Sequence, residues 1–366
     1  MNNTAECKKP KEEFIAREVD FPDIAQQIKK KIISERSKNY ACNSLWASEA
    51  GHDCERYLVY QQCDWDKAKP VDDNLLLVFN EGNLQEDQLL LELQKAGIKV
   101  KDLQIGIKIQ VANITGKLDC VAEIEDTAGH LSCLPIEIKS MSDNVYNNVN
   151  TVADFEKYPW TRKYYGQMQT YLKNDNWFYP YGYFLAKNKS TGAIKLIKDY
   201  DGSNAIKFNE EYWNFLVNRG KKISKFVFNN KKIQMEISST DDPQEIEDLT
   251  AQLTYPERIK YDIKVCQGCK YEHICIADLS DITGSQITNE SVIKAIEEYI
   301  EAEKNRGKYK SVEKEYQNSL SCLKKIFPLE DKIYMTENYL IEAKVKKGSK
   351  SEYLTFSISN LDKKKE

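Results

Sequence analysis

The 366-residue chain lacks any long apolar run: its longest, Leu75 to Phe79, is far short of the ~20 residues that cross a bilayer. Its first residues, MNNTAECKKPKEEF, lack the apolar stretch of a secretory signal. Both absences point to a cytoplasmic protein with no membrane partner. An excess of basic charge is also missing, since 53 Lys and Arg against 57 Asp and Glu leave a net charge of −4. That argues against a basic nucleic-acid coat but allows DNA binding through a local patch. No G-x-x-x-x-G-K-[ST] occurs, so no ATPase motor is evident. Internal repeats and low-complexity tracts are absent too. Histidine is scarce, and of the three, His52 and His273 lie beside cysteines and read as bystanders.

Cysteine, by contrast, is plentiful. Ten cysteines in a reducing compartment are not expected to form disulfides, and clustered ones become candidates for metal ligation. At roughly 150 residues per domain, the length corresponds to about two folded units with enough chain to bury a core.

Hydrophobic periodicity organises the rest. Residues 1–40 are highly charged, with a short helical pattern from Ile24 to Ile33, and read as an arm or leading helix. Leu45, Ala50, Cys54, Leu58 and Val59 fall at helical spacing between Ser44 and Tyr60. Asn74 is placed to cap a long helix that runs to about Gln94 and stops at Gly97. IGIKIQV (105–111), GKLDCVAEI (116–124) and LSCLPIEIK (131–139) then alternate like strands, the last two joined by a hairpin turn. A helix over Asp154–Leu172, strands at 182–188 and 194–200, and a helix over Asn204–Phe226 follow, then a cysteine-rich loop at 266–275. Beyond Gly284 the stripe Val292, Ile296, Tyr299, Ile300 and the stripe Val312, Tyr316, Leu320, Leu323 predict one bent helix or a helical hairpin interrupted at Gly307. Short strands close the chain. The division is thus an arm over 1–40, an α/β domain over 41–284 and a helix/β appendage over 285–366.

The predicted hairpin carries the sharpest chemistry. Glu137 and Lys139 are two apart and share a face, while Leu134, Ile136 and Ile138 point the other way. Asp119 on the preceding strand faces away from Leu118, Cys120, Ala122 and Ile124. Two carboxylates on adjacent strands suit a hard divalent cation. A lysine beside them serves a water that attacks a phosphodiester, whose transition state the cation stabilises. An ordinary solvated strand face also bears Glu and Lys, so E-x-K alone identifies nothing.

With Asp119, however, these residues resemble the PD-(D/E)XK nuclease superfamily, whose motif is a D and a D/E-x-K on a hairpin. Gly82-Asn83-Leu84-Gln85-Glu86 is similar to a RecB-type segment in which a glycine precedes a metal-binding histidine by four residues; here Glu86 replaces the histidine. Gln167-Met168-Gln169-Thr170-Tyr171 resembles the Q-x-x-x-Y motif of the same group, with both ends on one helix face. Cys266-x2-Cys269-x5-Cys275 places three thiolates about one metal centre, with Cys42, Cys54 and Cys63 as choices for a fourth. The run SLWASEAGHDCERYLVY resembles the segment that supplies the first cysteine in RecB-like iron–sulfur nucleases, which selects Cys54. Four thiolates suit a [4Fe–4S] cluster or tetrahedral zinc alike; the accompanying nuclease motifs favour the cluster.

Residues 44–280 together resemble the RecB-family iron–sulfur exonucleases: the CRISPR-associated exonuclease, the AddB nuclease domain and exonuclease V. The resemblance implies a restriction-endonuclease-like core, a mixed central sheet flanked by helices and clamped by the cluster. It implies Mg2+- or Mn2+-dependent cleavage of single-stranded DNA ends, often 5′-to-3′, and partners such as a spacer integrase complex or recombination proteins. Carried over by position, Glu86, Asp119, Glu137 and the Ile138 carbonyl would bind metal. Lys139 would serve the attacking water, and Gln167 and Tyr171 would position substrate. A non-catalytic DNA-binding or scaffold subunit is the rival. Trp160, Arg162, Lys163, Tyr164 and Tyr165 are candidates for stacking and phosphate contact, and Lys344, Lys346, Lys347 and Lys350 for covering a DNA path.

Overall fold

The alternating segments do pair, and they do so at the centre of the molecule. The structure, a computed structural model, describes residues 22–36, 41–276, 289–306, 310–348 and 351–361. The elements run α1 (Ile24–Arg36), β1 (Leu45–Trp46), α2 (Glu55–Cys63), α3 (Asp73–Lys95), β2 (Lys99–Ile109), β3 (Ile114–Glu125), β4 (Leu131–Met141), α4 (Asp143–Asn148), α5 (Arg162–Leu172) and β5 (Tyr181–Asn188). They continue as β6 (Ile194–Ile197), β7 (Ile206–Lys207), α6 (Glu210–Ile237), α7 (Pro243–Ala251), α8 (Ile263–Cys266), α9 (Glu272–Cys275), α10 (Glu290–Asn305), α11 (Lys310–Ile326), β8 (Lys332–Met335), β9 (Tyr339–Lys347) and β10 (Glu352–Asn360). Most of residues 1–40, the 284/285 boundary, Gly307 and Lys350 lie outside the described residues.

The main sheet has the order β1-β3-β4-β5-β6, with β2 also on β3 and β7 on β5. It is mixed: β1–β3 and β4–β5 are parallel and the other pairs antiparallel. This is the expected α/β class with a central mixed sheet flanked by helices. One face packs Cys120, Ala122, Ile136, Ile138 and Leu185 on Leu89 and Leu93 of α3. The other carries Phe184 and Ala186 against Met168 and Leu172 of α5, next to a cluster that joins Ile107, Ile109 and Ile114 to α2 and α6. The strand parity read from the sequence holds for β4 and for Cys120, Ala122 and Ile124, whereas Leu118 packs into the cluster of Ile107, Ile109 and Ile114. What it left out is that both faces are covered, so the face bearing Glu137 is buried against α5 and not solvated.

Several helix boundaries differ from expectation, α6 also running past the expected Phe226 to Ile237. The Ser44–Tyr60 pattern is split: Leu45–Trp46 pairs with Ile114–Thr115, a short 3-10 turn follows, and α2 starts only at Glu55. A helix across Asp154–Leu172 is interrupted at Tyr158, because Pro159 disfavours helical geometry in the residue before it. β7 occupies the start of the predicted Asn204–Phe226 helix, and Asn209, whose side chain accepts from Tyr212 N, caps α6. The cap of α3 is Asp72, two residues ahead of Asn74, and takes the N–H groups of Asn74 and Leu75. Gly97, at φ +83°, ends that helix where an L side chain would be strained.

Further along, α10 and α11 form a hairpin on the three-stranded sheet β10-β9-β8. Their core includes Tyr261, with Ile263, Cys266 and Ile276 packed against it. The cysteine segment is therefore shared between the main sheet's periphery and the appendage. Lys325 pairs with Glu272 at 2.5 Å, and Asn318 accepts from Ile263 N at 3.3 Å.

Candidate active site

The β3–β4 ladder ends at the Cys120–Ile136 pair, so Asp119 and Glu137 stand opposite each other on the next rung. There Asp119 Oδ2 accepts the Ile138 N–H at 2.7 Å, replacing a ladder bond and fixing the carboxylate between the strands. Lys139 Nζ donates to Glu137 Oε1 at 2.5 Å and to Gln167 Oε1 at 2.9 Å. Gln167 Nε2 donates to the same Glu137 oxygen at 2.7 Å and to Tyr171 OH at 2.8 Å; Tyr171 OH in turn donates to Lys117 O at 2.6 Å. Glu86 on α3 supplies a third carboxylate, which interacts with that of Asp119.

Gln167 and Tyr171 sit where the Q-x-x-x-Y spacing put them, on one face of α5. Tyr171 is 1% exposed and Gln167 4%, and both turn inward, Gln167 to the Glu137–Lys139 pair and Tyr171 to Gln167 and the Lys117 carbonyl. Tyr164, one turn earlier, lays its ring 4.5 Å from Lys139 Nζ, a cation–π contact that strand and helix patterning did not single out.

Electrostatics at the site are dominated by burial. Burial, then the Asp119 charge, holds the Glu137 carboxyl well above its ordinary range, and burial likewise raises Asp119. Glu86 is pushed up to about 7, by burial first and Asp119 second. Burial would lower Lys139, but Glu137, Tyr164 and Asp119 outweigh it and keep the ammonium protonated. Lys139 is thus held as a protonated hydrogen-bond donor between Glu137 and Gln167.

Three carboxyls and one ammonium form an unbalanced set. Among the described residues, no three carboxyl, thiol or imidazole groups stand close enough together as placed to grip a metal ion. The donor chemistry nevertheless fits a hard cation. Glu137 Oε2 is buried with no hydrogen-bond partner, and the raised carboxyls mark a place where added positive charge is favourable. A stability prediction follows from Glu86. Its folded value of about 7 exceeds the ordinary 4.5, so its contribution to stability is fully present below pH 4.5 and is lost as pH rises through about 7. Discounted for partial exposure, the loss is on the order of 1–2 kcal/mol. Mg2+ or Mn2+ should therefore raise the Tm of chelator-treated protein at pH 8 and change it little at pH 5.

The four predicted cysteine ligands share one neighbourhood around α8 and α9, but as placed they do not form a group that could hold a metal ion. Cys54, at the N-terminus of α2, lies near enough to raise Cys266, Cys269 and Cys275, although burial is the larger cause for each. The Cys266 thiol is pushed to about 12 and that of Cys269 to about 11. Tyr57, Tyr60, Tyr255 and the fully buried Tyr271 pack around the partly buried Cys269 and Cys275. Arg219 of α6 donates to the carbonyls of Ala50 and His52, clamping the turn that carries Cys54. His52 accepts from Cys54 N at 3.0 Å and stacks on Tyr57, so it braces the turn as a neutral ring. Of the basic residues proposed for phosphate contact, Arg162 is tied to Asp53 and Lys163 to Glu49. Trp160 remains exposed, and Tyr165 is buried.

No helix among the described residues is long and apolar enough to cross a membrane. No protein-family model matches the chain, and no curated protein sequence matches it. Among solved structures, it is similar to an alkaline exonuclease, LHK-Exo, from Laribacter hongkongensis, at 12% identity and a TM-score of 0.37, covering 57% of this chain and 98% of that one. The complex of LHK-Exo with dAMP gives 12% identity and a TM-score of 0.37 over 54% and 94% of the two chains. SSO0001 gives 15% identity and a TM-score of 0.32 over 69% and 95%. Overlaps this loose assign neither a family nor an activity.

Proposed function

We propose that this chain is a PD-(D/E)XK-type, metal-dependent DNA exonuclease acting on single-stranded DNA ends, with 5′-to-3′ polarity. The supporting observation is the buried Glu137–Lys139–Gln167 network beside Asp119 and Glu86, with one Glu137 oxygen left unpartnered. Glu86, Asp119, Glu137 and the Ile138 carbonyl would hold Mg2+ or Mn2+. When bound, that cation supplies charge stabilisation for the phosphodiester's transition state. Asp119 is pre-set by the Ile138 N–H, and Glu137 by Lys139 and Gln167, so the carboxylates need little reorganisation. Lys139 holds its proton at Nζ and orients the attacking water and the phosphoryl oxygen by donation. Gln167, braced by Tyr171, keeps that ammonium in place. The mixed sheet is consistent with a restriction-endonuclease-like core.

Cys54, Cys266, Cys269 and Cys275 are proposed to hold a [4Fe–4S] cluster, with zinc the other occupant those thiolates accept. The partly buried thiols of Cys266, Cys269 and Cys275, whose pKa values burial raises, ionise more readily next to compensating positive charge, which either metal would provide. The biological role proposed is DNA-end processing in a cytoplasmic setting, in CRISPR spacer acquisition or in recombination and repair, alongside a spacer integrase complex or recombination proteins. Cleavage of 5′- and 3′-end-labelled single strands by metal-free protein, with Mg2+ or Mn2+ added back, tests the catalytic reading. Release of mononucleotides or short products from one end is the expected result. DNA binding without cleavage under any divalent cation would establish the scaffold-subunit reading in its place.

A further inference from the structure

Gln104 lies in the middle of β2 with φ +50°. Among the described non-glycine residues only Asn113 shares that left-handed region, and Asn is a residue that tolerates it. A glutamine held there inside a strand costs about 1 kcal/mol or more, so something in the fold must specify it. The register shows where it points. Leu103 pairs with Cys120 and Ile105 with Leu118, which sets Gln104 opposite Asp119. The β3–β4 register continues that rung to Glu137. From this position Gln104 Nε2 donates to Glu86 Oε1 at 2.7 Å.

We propose that Gln104 is a positioning residue for Glu86. The left-handed turn of β2 aims its amide at one carboxylate oxygen, which fixes the Glu86 side chain over Asp119 and leaves its second oxygen for a divalent cation. A glutamate on a helix has more rotamer freedom than a shorter or ring-bearing ligand, so a bond that holds one oxygen selects the orientation that faces the neighbouring carboxylates. The inference rests on the cation site of the preceding section and deepens it.

The test is Mn2+ affinity, measured by titration calorimetry on the metal-free full chain without DNA. Gln104→Gly removes the amide while suiting the backbone, and Gln104→Asn keeps an amide that is too short to reach. Both should weaken Mn2+ binding by about 10-fold. The glycine variant should keep or raise its Tm, because the strained φ is relieved. In a Glu86→Ala background, Gln104→Gly should weaken Mn2+ no further. Unchanged affinity in the Gln104 variants, or an equal loss with and without Glu86, overturns the positioning role and leaves the cation site standing. Wild-type protein that binds no Mn2+ overturns the cation site itself.

Discussion

Exchange of Lys139 for methionine is expected to lower cation-dependent cleavage of single-stranded DNA by about 10²–10⁴-fold while the protein stays folded. The ammonium is mostly buried, within 2.5 Å of Glu137 and 2.9 Å of Gln167, and sits under the Tyr164 ring. In the proposed mechanism its loss removes the group that aims water and neutralises charge at the phosphate. Leaving a buried carboxylate unpaired ordinarily costs 3–5 kcal/mol or so. Here the cost should be nearer 1–2 kcal/mol, because burial and Asp119 already favour a protonated Glu137, which can become neutral. Methionine keeps the stem's length and its packing against Tyr164. Initial rates on end-labelled DNA, together with a thermal melt, check both halves. A folded variant that cleaves within about threefold of wild type would remove Lys139 from the catalytic assignment.

Cys269→Ser is expected to act on a different property. Purified protein should lose its bound metal, seen as loss of broad visible absorbance for an iron–sulfur cluster or of stoichiometric zinc. Its Tm should fall by on the order of 10 °C, because ligand bonds at such a site are folding free energy. The damage should spread beyond the thiol. Cys269 and Cys275 pack on the Tyr60–Tyr271 cluster, and the same segment joins the appendage through Tyr261, the Lys325–Glu272 pair and the Asn318 bond to Ile263. Limited proteolysis should therefore open the 255–276 segment in the variant first. Cys133→Ser is the control: Cys133 is exposed on β4 and apart from the cysteine set, so metal content and Tm should not change. Equal metal content and Tm in wild type and Cys269→Ser would show that these thiols are ordinary packing residues.

The parts of this site that are legible in the sequence are those set by short-range periodicity. Strand alternation put Glu137 and Lys139 on one face, and helical spacing put Gln167 and Tyr171 on another, where the structure has them. Their environment was not legible, because it depends on what α5 covers. Tyr171 could be assigned to substrate from its spacing, yet packing buries it and gives its hydroxyl to the Lys117 carbonyl. Arg162 and Lys163 look free for phosphate in the sequence, but the turn before α2 brings Asp53 and Glu49 to them from more than a hundred residues away. Gln104 was invisible for another reason. Neither composition nor alternation marks a left-handed residue inside a strand, and its partner Glu86 is on a different element. Helix starts were misplaced where a local competitor won: Pro159 after Tyr158, and β-pairing of Leu45 and of Ile206.

Glu86, Asp119 and Glu137 are proposed to hold one divalent cation beside Lys139. Anomalous diffraction from crystals of the full chain soaked in Mn2+ tests it most directly. A manganese peak is expected within bonding distance of the three carboxylates, with the Glu86 oxygen not bonded to Gln104 turned toward it. Cation-dependent DNA cleavage by protein whose crystals place manganese elsewhere, with these carboxylates unligated, would contradict it.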